Sequence, residues 1–198
     1  MNLLGRIASV YVPSYFKRRG LRTLFEMTAS AFGAEMPHLG ELSYDERIER
    51  YALFTKSVVD YAVQNLHDLG LARRQLCRGA CDLGDQLRKR FGVSSNSDVM
   101  VACRIVYRCI GIDFRGTDSG DITICKCMFS NYYSEQTCGI VSCLDKGLLA
   151  GLSHGGKLNF KQRITEGMDC CKAEFTPTED DLEIRDRRGF RSWWCNCC

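Results

Sequence analysis

The sequence predicts an α+β protein, with N-terminal helices followed by a β-β-α-β-β antiparallel sheet that has helices packed on one face. Three observations predict it. Apolar residues recur every three or four positions from residue 21 to 91, the Gly116-Thr-Asp-Ser-Gly120 turn separates two short runs, and a helical stretch divides that pair from a second pair at 157–175. Helices grouped ahead of paired strands are the pattern of segregated α+β folds. The 198 residues, 45% hydrophobic and 26% charged, suit one globular domain: a helical region over 1–97, an α+β core over 98–176, and a charged tail rich in Cys and Trp over 177–198.

Residues 1–19 combine apolar and aromatic side chains with Phe16-Lys17-Arg18-Arg19. They read as a loosely docked terminus, the other reading being an interfacial anchor beside anionic lipid. Leu21, Leu24, Phe25, Thr28 and Phe32 form one helical stripe, stopped by Gly33 and Pro37. Ser43-Tyr-Asp-Glu46 is a capping box, and the stripe from Tyr44 through Ile48, Tyr51, Val58, Ala62, Leu66 and Leu69 predicts a long helix closing at Gly70. A further helix is expected from Ala72 to Phe91, with Gly92 as its left-handed cap.

Residues 98–110 fit both periods and are assigned to helix, capped by Ser97. Ile112–Phe114 and Asp121–Cys127 then form a hairpin, residues 131–150 a helix, and Lys157–Thr165 and Cys170–Phe175 a second strand pair joined by Glu166-Gly-Met-Asp169. The tail ends in Trp193-Trp194-Cys195-Asn196-Cys197-Cys198, which has no place in this sheet and is expected to dock an aromatic pair or contact a partner.

Composition excludes several functions. The net charge of +3 arises from 27 basic and 24 acidic residues mixed along the chain, which leaves no nucleic-acid footprint. Neither GxGxxG nor a P-loop is present. No run approaches the roughly 18 apolar residues of a membrane span, and the start lacks the features of a secretory leader. A cytoplasmic location is therefore expected. There the 13 cysteines, an odd number, would serve as buried small hydrophobes, metal ligands or nucleophiles rather than disulfides.

Only His38, His67 and His154 are available to a histidine-rich metal centre, and His154 falls among turn residues. The close pairs Cys77/Cys81, Cys125/Cys127, Cys170/Cys171 and Cys195/Cys197 lack the CxxC spacing of a zinc knuckle. In a regular strand Cys125 and Cys127 share a face while Cys170 and Cys171 oppose each other. No cofactor is expected; zinc or another thiophilic metal is the alternative. Cys77, Cys81, Cys103 and Cys109 read as core packing.

A nucleophile is sought at Cys143 beside Asp145, at Cys127 at a strand end, or at Cys171 by a glycine turn, with Arg163 or Lys146 as the cation that favours a thiolate. Residues two apart on a helix point about 200° apart, so Cys143 and Asp145 do not share a face of a regular helix, whereas Cys138 lies nearly over Asp145. Asp145 and Glu166 are the candidate proton carriers, each with a surface ion pair as its plainer reading. Gly151 and Gly167 are expected at turns.

Over residues 120–175 the chain resembles the L-2-amino-thiazoline-4-carboxylic acid hydrolase-like family. The resemblance is carried by Cys127 at a strand end, the Cys143-x-Asp145 element with Gly151, and Arg163, Thr165, Gly167, Cys170, Cys171 and Phe175. Arg163-Ile-Thr-Glu-Gly167 is more compact than the family pattern, and the cysteine-rich tail is additional. The resemblance implies hydrolytic opening of a small cyclic amidine at a C–N or C–S bond. Cys143 would attack the ring carbon, Asp145 would orient or donate the proton, Arg163 would hold a substrate carboxylate, and Cys127 and Cys171 would line the pocket. The expected partner is a small-molecule substrate, with self-association left open. The alternative function is a non-enzymatic small-ligand or thiolate metal-binding module.

Overall fold

The computed structural model describes residues 1–65 and 69–178. Helices α1 (Leu3–Val10), α2 (Ser14–Phe32), α3 (Tyr44–Asn65), α4 (Gly70–Phe91) and α5 (Asn96–Cys109) precede strands β1 (Ile112–Gly116) and β2 (Asp121–Cys127). A 3₁₀ turn over Met128–Asn131 leads into α6 (Glu135–Leu152), and β3 (Lys157–Gln162), a second 3₁₀ turn over Ile164–Glu166, and β4 (Cys171–Thr176) complete the order. The fold is α+β, with a four-stranded antiparallel sheet ordered β1-β2-β4-β3. Among the described residues no helix is long and apolar enough to cross a membrane.

Local chemistry accounts for the helix boundaries. Ser43 and Glu46 form the expected capping box, with the Ser43 amide donating to Glu46 at 2.7 Å and the Glu46 amide to Ser43 Oγ at 3.4 Å. Ser95, not Ser97, caps α5, accepting from the Asp98 amide at 3.2 Å. Gly70 opens α4 rather than closing α3; Leu66 and His67 lie outside the described residues. So does the Trp193–Cys198 segment. The N-terminus is not loosely docked, because the Asn2 amide donates to the Phe91 carbonyl at 2.8 Å and the chain's amino group pairs with Asp98 at 2.8 Å.

One core joins helices and sheet. Phe25 and Tyr51 from α2 and α3, Met100, Cys103 and Tyr107 from α5, Leu148, Leu149 and Leu152 from α6, and Ile124, Ala173 and Phe175 from the sheet belong to the same buried cluster. Along β2 and β4, Ile122, Ile124, Ala173 and Phe175 are buried while Asp121, Cys125, Lys172 and Glu174 are exposed, so one sheet face is covered and the other is wet.

Helices α4 and α6 approach so closely that glycine is required at the contact. A Cβ on Gly147 or Gly151 would overlap the carbonyl oxygen of Cys77 or Cys81, and one on Gly84 would overlap that of Leu148. Gly151 is thus a helix-packing residue and not the turn residue that its position suggested. Gly167 does occupy a turn, at φ 84°.

Two register shifts re-aim side chains. Between the pairs Ile112↔Cys127 and Phe114↔Ile124, two residues of β2 face one of β1, a bulge that reverses the alternation after Ile124. Cys125 therefore faces outward and Cys127 packs against the core, correcting the expectation that they share a face. A second shift between Phe160 and Gln162 sets Gln162 opposite the outward Lys172 and turns the next residue, Arg163, inward.

Cys125 is bonded to Cys170, whose neighbour Cys171 pairs in register with Ile124; the Cα atoms are 4.2 Å apart. The expectation that the cysteines are unbridged is corrected for this pair. The antiparallel register of β2 and β4 brings two outward thiols face to face across 45 residues of sequence.

Candidate active site

Helix α6 has two chemically different faces. Cys143, Gly147 and Gly151 repeat every fourth residue and form the small-residue seam against α4. Cys143 is 1% exposed in a separate apolar cluster with Ala31, Val59, Leu76, Cys77 and Ile140. Cys138, Ser142 and Asp145, at i, i+4 and i+7, form the other face, toward the sheet and the β3–β4 connection. Asp145 thus lies within electrostatic reach of Cys127, Cys138 and Cys171, while Cys143 lies on the α4 side.

Asp145 organises this cluster. Its Oδ1 accepts a 2.6 Å hydrogen bond from Tyr107 Oη, and the Tyr107 ring stacks on Phe114 with centroids 4.9 Å apart. Although the residue keeps some surface, its carboxyl is desolvated, and burial pushes its pKa from 3.8 up to about 6 against the opposing effects of the Tyr107 hydrogen bond and the Arg163 charge. A carboxyl poised there can both take and return a proton near neutrality. Tyr107 was missed in the sequence reading, because a tyrosine on the buried stripe of a helix carries no mark of its partner.

Arg163 is held by the turn that follows β3. Its amide donates to Glu166 Oε2 at 2.8 Å, its Nη1 donates to Glu166 Oε1 at 2.9 Å, and its guanidinium carbon stands 4.6 Å from the centre of the Phe160 ring. Glu166 thus caps the turn and pairs with Arg163. One Nη2 contact reaches Ser142 Oγ at 3.5 Å, and the buried Nε has no hydrogen-bond acceptor. The guanidinium is oriented and still has a donor to offer.

The three thiols around Asp145 differ in their partners. Burial pushes the pKa of Cys127 up to about 12, against the smaller lowering effect of the Phe129 and Ser130 amides of the first 3₁₀ turn. Cys171 accepts from the Ile164 amide at 3.3 Å, and burial raises its pKa despite this amide and Arg163. Cys138 is also raised by burial, against the Thr165 hydroxyl and Arg163. All three feel the Asp145 charge. At neutral pH they are thiols, and a nucleophile drawn from them must lose its proton as it reacts.

His154 lies on an exposed turn at φ 58°, with its carbonyl accepting from Thr178 Oγ1 at 3.3 Å. Among the described residues no group of three or more His, Cys, Asp and Glu side chains is arranged to hold a metal ion. Comparison of the chain with family models, curated proteins and solved structures finds no match.

Proposed function

We propose that the protein is a hydrolase of a small cyclic amidine bearing a carboxylate, such as a 2-aminothiazoline ring, with Asp145 as proton carrier and Cys127 as nucleophile. The observation that carries this reading is the convergence of a carboxyl poised near pH 6, an oriented arginine and three thiols on the covered face of the sheet. Arg163 would take the substrate carboxylate on its unpartnered Nε and on Nη2. Cys127 is taken as the nucleophile because it ends β2 where the chain turns into Met128–Asn131, and the Phe129 and Ser130 amides of that turn act to lower its pKa against burial.

In the first step Cys127 Sγ bonds to the carbon between ring nitrogen and ring sulfur, and its proton passes to Asp145. The ring C–S bond then breaks, and the departing sulfur takes that proton. A water molecule next adds to the enzyme-bound carbon, giving its proton to Asp145. The Cys127 C–S bond breaks, the thiol is reprotonated, and the substrate nitrogen is left with a carbamoyl group. One water is consumed and the enzyme is restored.

Burial keeps Cys127 a thiol at neutral pH, so in this reading its proton leaves as the C–S bond forms. The protonated thiols are also what a second reading uses, a binding module whose thiols stay protonated around an apolar or carboxylate ligand. Hydrolysis of 2-aminothiazoline-4-carboxylate, followed by thiol release, separates the two. Asp145→Asn and Cys127→Ser should each lower kcat/KM by about 10²-fold or more, while Cys143→Ala stays within a few-fold of the parent. Binding without turnover by the parent chain would select the module, and full activity in Cys127→Ser would remove that residue as nucleophile.

A further inference from the structure

Helix α1 is inside out. At about 100° per residue, Leu3, Ile7 and Val10 fall within a ~60° arc, and the small residues Gly5, Ala8 and Ser9 lie opposite. A helix docked on a globular core normally buries the large apolar arc and exposes the small polar one. Here Gly5 is buried against Phe91 and Ala8 packs on the core, while Leu3, Ile7 and Val10 are 74%, 54% and 81% exposed. Tyr11, Tyr15 and Phe16 continue the exposed apolar surface into the start of α2.

This face is held rigidly. Asn2 donates from Nδ2 to the Arg90 carbonyl at 2.9 Å, Arg108 Nη2 donates to the Ala8 carbonyl at 3.2 Å, and Arg90 lies over the Phe16 ring at 5.8 Å. Tyr44 Oη anchors the α2 side, donating to the Cys109 carbonyl at 2.6 Å and approaching that of Lys17 at 3.5 Å. The exposure of the apolar arc is therefore built into the packing and is not the fraying of a free end.

Charge identifies what covers it. Residues 1–25 carry Arg6, Lys17, Arg18, Arg19 and Arg22 and no carboxylate, in a chain whose net charge is only +3. Arg22 is paired with Glu26, but Arg6, Arg18 and Arg19 are exposed beside the apolar residues. Apolar side chains for the acyl boundary, tyrosines at its edge and flanking cations for headgroup phosphates are the two signals that a surface-bound protein needs.

We propose that α1 and the first turn of α2 form a docking face for an anionic phospholipid bilayer, on which the protein lies without crossing. The full chain is sedimented with vesicles of phosphatidylcholine, and with vesicles in which about one lipid in three is phosphatidylserine. Binding is expected on the anionic vesicles and should fall as salt is raised. Arg18→Gln with Arg19→Gln should weaken it about 25-fold, since each cation near the surface contributes about fivefold. Leu3→Ser, Ile7→Ser and Val10→Ser together should abolish it while the thermal unfolding curve stays unchanged, because these side chains contact solvent. The double arginine variant is an independent test should the triple variant fail to fold. The proposal is overturned if the parent chain ignores anionic vesicles or if both variants bind as the parent does. It is also overturned if the parent is a dimer that the triple variant splits, because the face then belongs to a second copy of the chain.

Discussion

Asp145 ties the proposed chemistry to stability. Its carboxyl titrates at about 6 in the fold against 3.8 ordinarily, so the folded chain binds this proton more tightly than the unfolded one. The contribution is complete below pH about 4 and is lost as pH rises through about 6, a change of about 3 kcal/mol. Urea unfolding across that interval should show a decline that Asp145→Asn removes. The Tyr107 hydrogen bond opposes the upward shift, so in Tyr107→Phe the carboxyl should titrate higher still. If the protein turns over substrate, the acid limb of its pH–rate profile should move up with it. At this scale the sequence showed which groups were chemical but not all of their neighbours. The i to i+7 relation of Cys138 and Asp145 was readable from helix geometry, whereas Tyr107 and Asp145 meet only through the packing of α5 against α6.

At the scale of elements, the helices were legible because a 3.6-residue period survives in composition, and the Ser43–Glu46 box marks its own start. The strand bulges were not. One inserted residue leaves no compositional trace, yet it turns Cys127 inward and Cys125 outward, and its counterpart in β3 aims Arg163 at α6. The small-residue seam was written in the sequence as Cys143, Gly147 and Gly151, but the same letters also spell a reactive cysteine and a turn glycine. The seam predicts its own failure. Gly151→Ala forces a methyl group against the Cys81 carbonyl and should cost about 1–3 kcal/mol or more in chemical unfolding, whereas Cys143→Ala, which shrinks the contact, should cost about 1 kcal/mol. Equal tolerance of both would mean that the helices do not meet as described.

For the molecule as a whole, the main core from Leu21 to Phe175, which holds residues of both, means that the helical stretch and the sheet support one another, and a lesion in either should be felt in both. The disulfide strengthens that dependence. Joining residues 45 apart restricts the unfolded chain by roughly 4 kcal/mol in the loop-entropy account, so dithiothreitol, or Cys125→Ser with Cys170→Ser, should lower the urea midpoint by a corresponding amount. An unchanged midpoint would show that the bond contributes little to stability.

The same bond makes a closed covalent circuit of the stretch that contains α6 and β3, and the exposed His154–Gly155 corner lies on that circuit. A single protease cut at this corner would open the circuit without releasing either piece. On denaturing electrophoresis the nicked protein would run as one body until a reductant separated it into two, with Asp145 on one fragment and Arg163 on the other.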